Sequence, residues 1–144
     1  MTETPFLETV PWQPAAFPAD PAAAEQLREW LASEEYTLDG VERDFRGADH
    51  SGGDFSHCWF TDAVLVTVRL VGASLYRADL QSVNLTRADL TAADLVKANL
   101  DEAVLRSAVL DGADMVGGSL SEWTRGEPVF AAHASSARSC STPT

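Results

Sequence analysis

A solenoid is the fold class that this sequence predicts, and the main reason is a period of five residues. From residue 43 to residue 122 the chain divides into sixteen blocks of five, and the third residue is large and apolar in fifteen of them. The first residue of a block is nearly always small, most often alanine. This period fits neither a helix of about 3.6 residues per turn nor an alternating strand, but it suits short units that bury their apolar side chains by stacking.

The third positions of the blocks form one apolar series, which we expect to build a core rather than a site. The series is Phe45, His50, Phe55, Phe60, leucine at every fifth residue from Leu65 to Leu110, Met115 and Leu120. The small first residues are expected to point inward near the corners, where larger side chains would collide.

Blocks of the form Ala-Asp-Leu and Ala-Asn-Leu recur, for example Ala78-Asp79-Leu80 and Ala98-Asn99-Leu100. With these blocks in one register from residue 43 to residue 122, the chain closely resembles the pentapeptide-repeat family. The resemblance implies an all-β solenoid, namely a right-handed quadrilateral β-helix in which four blocks of five close one coil of 20 residues. At roughly 4.8 Å per coil, about four coils make a rod roughly 19 Å long.

An α-helix is predicted before the repeat. Asp20 is a good N-cap, Pro21 fits the first helical position, and residues 22–34 favour helix. One face of this helix carries Ala23, Ala24, Leu27, Trp30 and Leu31. We interpret the helix as a cap over the first coil, because the open ends of a solenoid need cover.

The chain is expected to form one domain with four segments. They are an extended proline-rich segment (1–19), the capping helix and its lead-in (20–42), the β-helix (43–122), and a C-terminal cap with a disordered tail (123–144). No apolar run of about 18 residues and no signal peptide are seen, so we expect a cytoplasmic protein without membrane contact. The preference for arginine over lysine and the abundant alanine point to a bacterial source.

His50 stands at a core position, where the family pattern has a large apolar residue. We expect a core histidine that is hydrogen-bonded to backbone near the open first coil, where the capping helix can supply a partner. Asp49 is a second candidate partner for its ring. Arg43 at a small-residue position and Trp59 at an Asp or Asn position are further departures from the pattern.

Residues able to bind a metal, His50, Asp54, His57 and Cys58, lie close together in sequence. The register places His50 and Cys58 inward on different sides and the other two outward, so we expect no metal site. No phosphate loop, nucleophile elbow or HExxH motif occurs, and the Asp and Asn residues before the leucines are expected to bond backbone at the corners. The sequence therefore predicts a protein that is not an enzyme, with no catalytic residue and no cofactor.

The formal net charge of −12 is unevenly distributed. Residues 1–40 carry eight acids and one base, whereas residues 41–122 carry thirteen acids and seven bases. The candidate acidic partner surface of the rod is Asp62, Asp79, Asp101, Glu102 and Glu122. An acidic protein does not bind nucleic acid by neutralising phosphates, so we expect no direct contact with nucleic acid. The alternative interpretation is that these acids only keep a stacked-strand protein soluble.

Outward apolar residues on the first half of the rod are a second candidate contact surface. They are Trp59, Val64, Val66, Val71 and Tyr76. The alternative is that residues 1–19 already cover them.

Three classes of function follow from these observations. The leading hypothesis, implied by the family resemblance, is a protein-binding module that modulates or protects DNA gyrase, because the family includes gyrase-protecting proteins that imitate duplex DNA. The second is a scaffold or regulatory adaptor that uses its N-terminal segment. The third is an enzyme or an accessory protein in a biosynthetic pathway, which the lack of converging polar residues disfavours.

The C-terminal end generates a prediction about assembly, because an uncovered last coil exposes apolar surface and unpaired strand edges. Family members dimerise end to end through this coil, so we expect a two-fold dimer in which Leu120, Trp123 and Phe130 meet their copies. Light scattering at high micromolar concentration should give a dimer mass for the natural chain and a monomer mass for Trp123→Asp. A monomer mass for both would contradict the dimer and favour a tail that folds back as a plug.

Overall fold

The computed structural model describes residues 12–119 of the chain. Within this range the structure consists of helix α1 (Pro21–Ala32) followed by a long solenoid. Between residues 12 and 119, no helix has the length and apolar character that crossing a bilayer requires.

The solenoid is a parallel β-helix whose coil has 20 residues. Its parallel pairings all join residues 20 positions apart, from Asp39 with Trp59 to Asn99 with Ser119. Each pairing joins one residue of a coil to one residue of the next coil, rather than two long strands. At every side, hydrogen bonds run to the neighbouring coils, as when Leu90 N–H donates to the Val109 carbonyl at 2.7 Å. The expected stacking of blocks one coil apart is therefore confirmed.

The corners between sides share one geometry, and each coil has four of them. An N–H group closes each corner by donating to the carbonyl of the core residue three positions earlier, as from Ala93 to Leu90 at 3.0 Å. The third residue of each turn has positive φ at sixteen successive corners, from Glu42 to Gly117. Because φ is positive at the third residue of the turn and not at the second, each corner is a type II turn. Only five of the sixteen are glycine, so residues such as Ala92 (φ 59°) are held in the left-handed region.

Four columns of side chains fill the solenoid and define its four sides. Side one carries Phe45, Leu65, Leu85 and Leu105; side two carries His50, Leu70, Leu90 and Leu110; side three carries Phe55, Leu75, Leu95 and Met115; side four carries Gly40, Phe60, Leu80 and Leu100. Apart from Gly40, whose position is also buried, all of them are at most 6% exposed. The small residues at the first position of the blocks are buried as well, as predicted.

The coil begins one block before residue 43, with Leu38 and Gly40. This block reverses the usual sizes, because the large residue is at the first position and the glycine at the third. The Leu38 N–H group donates to Cys58 Sγ at 3.1 Å. A Cβ atom on Gly40 would lie only 2.9 Å from ring atoms of both Phe45 and Phe60. The reversed sizes explain why the sequence pattern did not reveal this block.

Helix α1 packs on the first coil and covers its open end. Asp20 caps the helix by accepting a hydrogen bond from Ala23 N–H at 3.0 Å, and Pro21 begins the first turn, as predicted. Leu27 is fully buried, and the Trp30 ring stacks on Phe55 with 5.5 Å between centroids. The rings of the first coil are thereby shielded from water.

Residues 12–18 complete the cover over the first coil. Ala16 forms an antiparallel bridge with Asp49, and Trp12 Nε1 donates to the Ser51 carbonyl at 3.0 Å. The Trp12 ring meets the Phe55 ring edge-on at 5.5 Å. A Cβ atom on Gly53 would lie 2.8 Å from Trp12 Cζ2, so this glycine makes room for the indole.

The core generates a prediction at Leu90, which is fully buried in the middle of side two. Leu90→Ala should lower the free energy of unfolding by about 2–5 kcal/mol, since it removes burial and leaves a cavity between coils. Leu90→Asp should prevent folding, because it places an unpaired charge in a dry column. Urea denaturation gives both results, with the exposed Arg106→Ala as a control that should change little. Unfolding of Leu90→Asp like that of the natural chain would contradict the register.

Candidate interaction surfaces

The charge of the rod depends strongly on the side. The outward residues of each side lie in three columns, namely the residue before the core position and the two residues after it. Among the described residues, side one has one acid and three bases, side two three acids and one base, and side three three acids and two bases. Side four has six acids and no base among thirteen outward residues. We call these thirteen residues the acidic side.

The structure brings four of the five predicted acidic residues to the acidic side. Asp62 and Glu102 each stand two positions after a core residue of side four, so they lie in one column. Asp101 lies beside Glu102, and Asp79 stands directly before a core residue of the same side. The fifth, Glu122, lies outside the described residues. Ser82, between Asp62 and Glu102, donates to Glu102 Oε1 at 3.0 Å.

Asp39 and Glu42 extend the acidic side at its N-terminal end. Sequence analysis missed both, because they belong to the reversed block before residue 43. We call the part of side four that belongs to one coil a level. At least one carboxylate stands on each complete level that the structure describes.

The Asp and Asn residues before the core positions are part of the corners, as predicted. Their side-chain oxygen accepts a hydrogen bond from the N–H group two residues later, as between Asp94 and Val96 at 3.0 Å. The same bond is made by Asp39, Asp44, Asp49, Asp54, Asp79, Asn84, Asp89, Asn99 and Asp114. An amide oxygen makes this bond as a carboxylate does, so the negative charge at these positions is not needed for the fold.

The predicted apolar surface is not one patch. Trp59 lies on side four, Val64 and Val66 on side one, Val71 on side two and Tyr76 on side three. These residues follow the chain around one coil, so only the two valines of side one share a side. Trp59 is half exposed.

In the part of the N-terminal segment that the structure describes, residues 12–18 bond to the first coil, at Asp49 and Ser51. Residues 1–11 lie outside the described range, as do the predicted dimer contacts Leu120, Trp123 and Phe130.

His50 is fully buried, but its predicted hydrogen bond is absent from the described part of the chain. Neither Nδ1 nor Nε2 has a hydrogen-bond partner among residues 12–119. Aromatic rings surround the imidazole instead, with centroids of Phe55 at 5.0 Å and Phe45 at 5.8 Å. The prediction of a backbone or Asp49 partner was therefore wrong.

Asp49 cannot serve as the partner because its carboxylate is engaged outside the core. It accepts hydrogen bonds from Ser51 N–H at 3.1 Å and from Arg69 at 3.4 Å. The hydrogen bond with the Ser51 side chain is the main reason that the pKa of Asp49 lies below its usual value.

Burial dominates the protonation of two buried titratable side chains near the capped end of the rod, His50 and Cys58. It lowers the pKa of His50 to about 4, against a smaller opposing effect of the Asp49 charge. Burial also raises the pKa of the Cys58 thiol to about 11, so this cysteine is an unreactive part of the core at neutral pH. Asp54 and His57, by contrast, are exposed.

The five-residue repeat of the solenoid matches a known family. The family model described as "Pentapeptide repeats (8 copies)" matches residues 51–87 and 84–121. The chain belongs to the pentapeptide-repeat family. Proteins of this family are generally structural or binding modules rather than enzymes.

Solved structures of pentapeptide-repeat proteins are similar to this chain. A protein from the thylakoid lumen of Arabidopsis thaliana is 32% identical, with a TM-score of 0.56 over 62% of this chain and 60% of that one. Rfr23 from the cyanobacterium Cyanothece 51142 is 26% identical, with a TM-score of 0.39 over 66% of this chain and 65% of that one. QnrB1, a plasmid-mediated fluoroquinolone resistance protein, is 17% identical, with a TM-score of 0.31 over 60% and 59%.

This pentapeptide-repeat chain spans less than two thirds of the length of these solved structures. Among curated proteins, no significant match is found. The family model and the likeness to the thylakoid-lumen protein support the family and the fold.

The buried His50 generates a prediction about acid stability. The unfolded chain binds a proton at His50 below pH about 6.5, whereas the folded chain does so only below about 4. Stability should therefore be full above pH 6.5 and fall as the pH is lowered towards 4. The loss should approach roughly 3 kcal/mol, from the size of the shift.

The test is urea denaturation of the natural chain, His50→Leu and His57→Gln between pH 7 and pH 4, at steps of about half a unit. His50→Leu introduces leucine, the residue found at the other core positions of side two. This variant should lose the extra acid sensitivity. His57→Gln changes an exposed histidine and should keep it. Equal acid sensitivity of the natural chain and His50→Leu would show that another group controls this loss.

Proposed function

We propose that this pentapeptide-repeat protein is a non-catalytic binding module whose acidic side imitates the charge of duplex DNA towards a type II topoisomerase, with DNA gyrase as the candidate partner. The observation that carries the proposal is the concentration of six carboxylates, without a base, on one of four sides. Six of the seven bases between residues 39 and 119 stand on the other three sides, and the seventh, Arg43, stands at the corner that follows Glu42. An even mixture of acids and bases would be expected if the acids served solubility alone.

The spacing of these charges supports the proposal. The four complete levels of the acidic side span about 14 Å, which is three strand spacings. One strand of duplex DNA carries a phosphate charge roughly every 3.4 Å, so a matching length of that strand carries about four. The six carboxylates of the acidic side are enough to present a comparable line of charge.

The shape of the rod suits the same role. Core residues and inter-coil hydrogen bonds fix the backbone at each level, so the carboxylates are held on a rigid support. Rigid presentation of charge steers a partner of opposite charge and avoids the entropy cost of ordering a flexible segment.

Further features of the proposal come from the family resemblance and the composition. We propose a right-handed winding of the coil, residence in the cytoplasm, where the candidate partner acts, and a two-fold dimer through the C-terminal coil. A dimer would double the length of charged surface.

A DNA supercoiling assay tests the proposal. The natural chain should alter gyrase supercoiling or its inhibition by a fluoroquinolone, and added salt should weaken the effect. A variant with Asp62→Asn, Asp79→Asn, Asp101→Asn and Glu102→Gln should lose it while keeping its fold, because Asp79→Asn retains the side-chain oxygen that accepts the corner hydrogen bond.

The matched control removes four charges from sides two and three, with Asp89→Asn, Asp94→Asn, Asp111→Asn and Asp114→Asn. This control variant should act on gyrase like the natural chain. Equal loss in both variants would show that net charge matters rather than the acidic side. A natural chain without effect on gyrase at saturating concentration would remove the topoisomerase from the proposal and leave the scaffold or adaptor role.

A further inference from the structure

A pocket of about 280 Å³ lies beside the C-terminal end of α1, and no residue of the acidic side lines it. Its lining combines aromatic, aliphatic and acidic residues from distant parts of the chain. The lining residues are Trp12, Trp30, Leu31, Ser33, Glu35, Tyr36 and Asp54. The volume is near the lower end of ligand pockets, which are about 300–1,000 Å³, so it suits a side chain or a small group rather than a large cofactor.

The two tryptophans of the pocket, Trp12 and Trp30, are held in place before any ligand binds. The Trp30 and Trp12 rings both pack on Phe55, each with 5.5 Å between centroids. Trp12 is anchored further by its hydrogen bond to the Ser51 carbonyl. Tyr36, in contrast, is 91% exposed, which leaves its ring free to cover a ligand.

The electrostatics of the pocket favour a cation. Glu35 and Asp54 both line it, and the last turn of α1 contains no basic residue that would offset the negative end of the helix. Residues 20–42 carry seven acids and one base, Arg28. The guanidinium of Arg28 lies over the Phe17 ring at 4.8 Å and is not part of the pocket lining.

We propose that this pocket binds the cationic side chain of an arginine or lysine that a protein partner presents. The aromatic rings offer their negative faces to the cation, and the carboxylates supply charge-assisted hydrogen bonds. Arginine fits best, because its planar guanidinium both stacks on rings and bonds a carboxylate with two N–H groups. The pocket is a second contact site, at the end of the rod rather than along the acidic side.

A titration followed by NMR tests the inference on the full chain. The probe is the peptide acetyl-Gly-Arg-Gly-amide, and the control peptide has neutral citrulline in place of arginine. The indole N–H resonances of Trp12 and Trp30 should shift in a saturable way with the arginine peptide, while that of Trp59 stays in place. Absence of a saturable shift, or equal shifts with the citrulline peptide, would overturn the proposal.

Substitutions locate the site. Glu35→Gln and Tyr36→Ala should each weaken binding of the arginine peptide roughly two- to fivefold, the size expected for one ion pair or one cation–π contact. Glu34→Gln removes the same charge from the neighbouring residue outside the pocket lining and should leave the affinity unchanged. Equal weakening by Glu34→Gln would reveal unspecific attraction and overturn the site. None of these residues belongs to the acidic side, so the gyrase assay and this titration can fail independently.

Discussion

The hydrogen bonds between residues one coil apart are the constraint on which the rest of the structure depends. Each side offers one bridged residue to its neighbours, for example Val109, whose N–H group donates to the Ala88 carbonyl at 2.9 Å. All four sides must keep the same rise per coil, so every corner adopts the same turn. Between residues 12 and 119, eleven residues other than glycine take positive φ for this reason, at a cost of roughly 1–2 kcal/mol each. Stacking of the buried columns and the hydrogen bonds between coils offset that local strain.

Much of the fold could be predicted from the sequence, because a regular five-residue period leaves few ways to bury the apolar side chains that recur with it. The columns of the core, the Asp and Asn corners and the capped helix at Asp20 and Pro21 are local consequences of residue type and spacing. The start of the coil could not be predicted in the same way. Leu38 and Gly40 exchange the usual sizes, and only the packing of Phe45 and Phe60 over Gly40 shows why the exchange is tolerated.

The candidate sites were less predictable than the fold. The acidic side could be found because its residues occupy outward positions whose side follows from the register. The environment of His50 could not, since the orientation of an aromatic ring such as Trp12 depends on packing that the period does not specify. The pocket at the end of α1 depends on contacts between Trp12, Trp30 and Asp54, which are distant in sequence and meet only because the cap closes the first coil.

The four-cornered coil of 20 residues also restricts how such a protein can change its length. An insertion of a whole coil lengthens the rod and leaves every later residue on its original side. An insertion of one five-residue block keeps the core in register but turns everything downstream by a quarter of the circumference. The acids after the insertion would then continue on a neighbouring side, and the charged line would become a step or, with repeated insertions, a spiral around the rod. The direction in which the surface faces can thus evolve separately from the stability of the core.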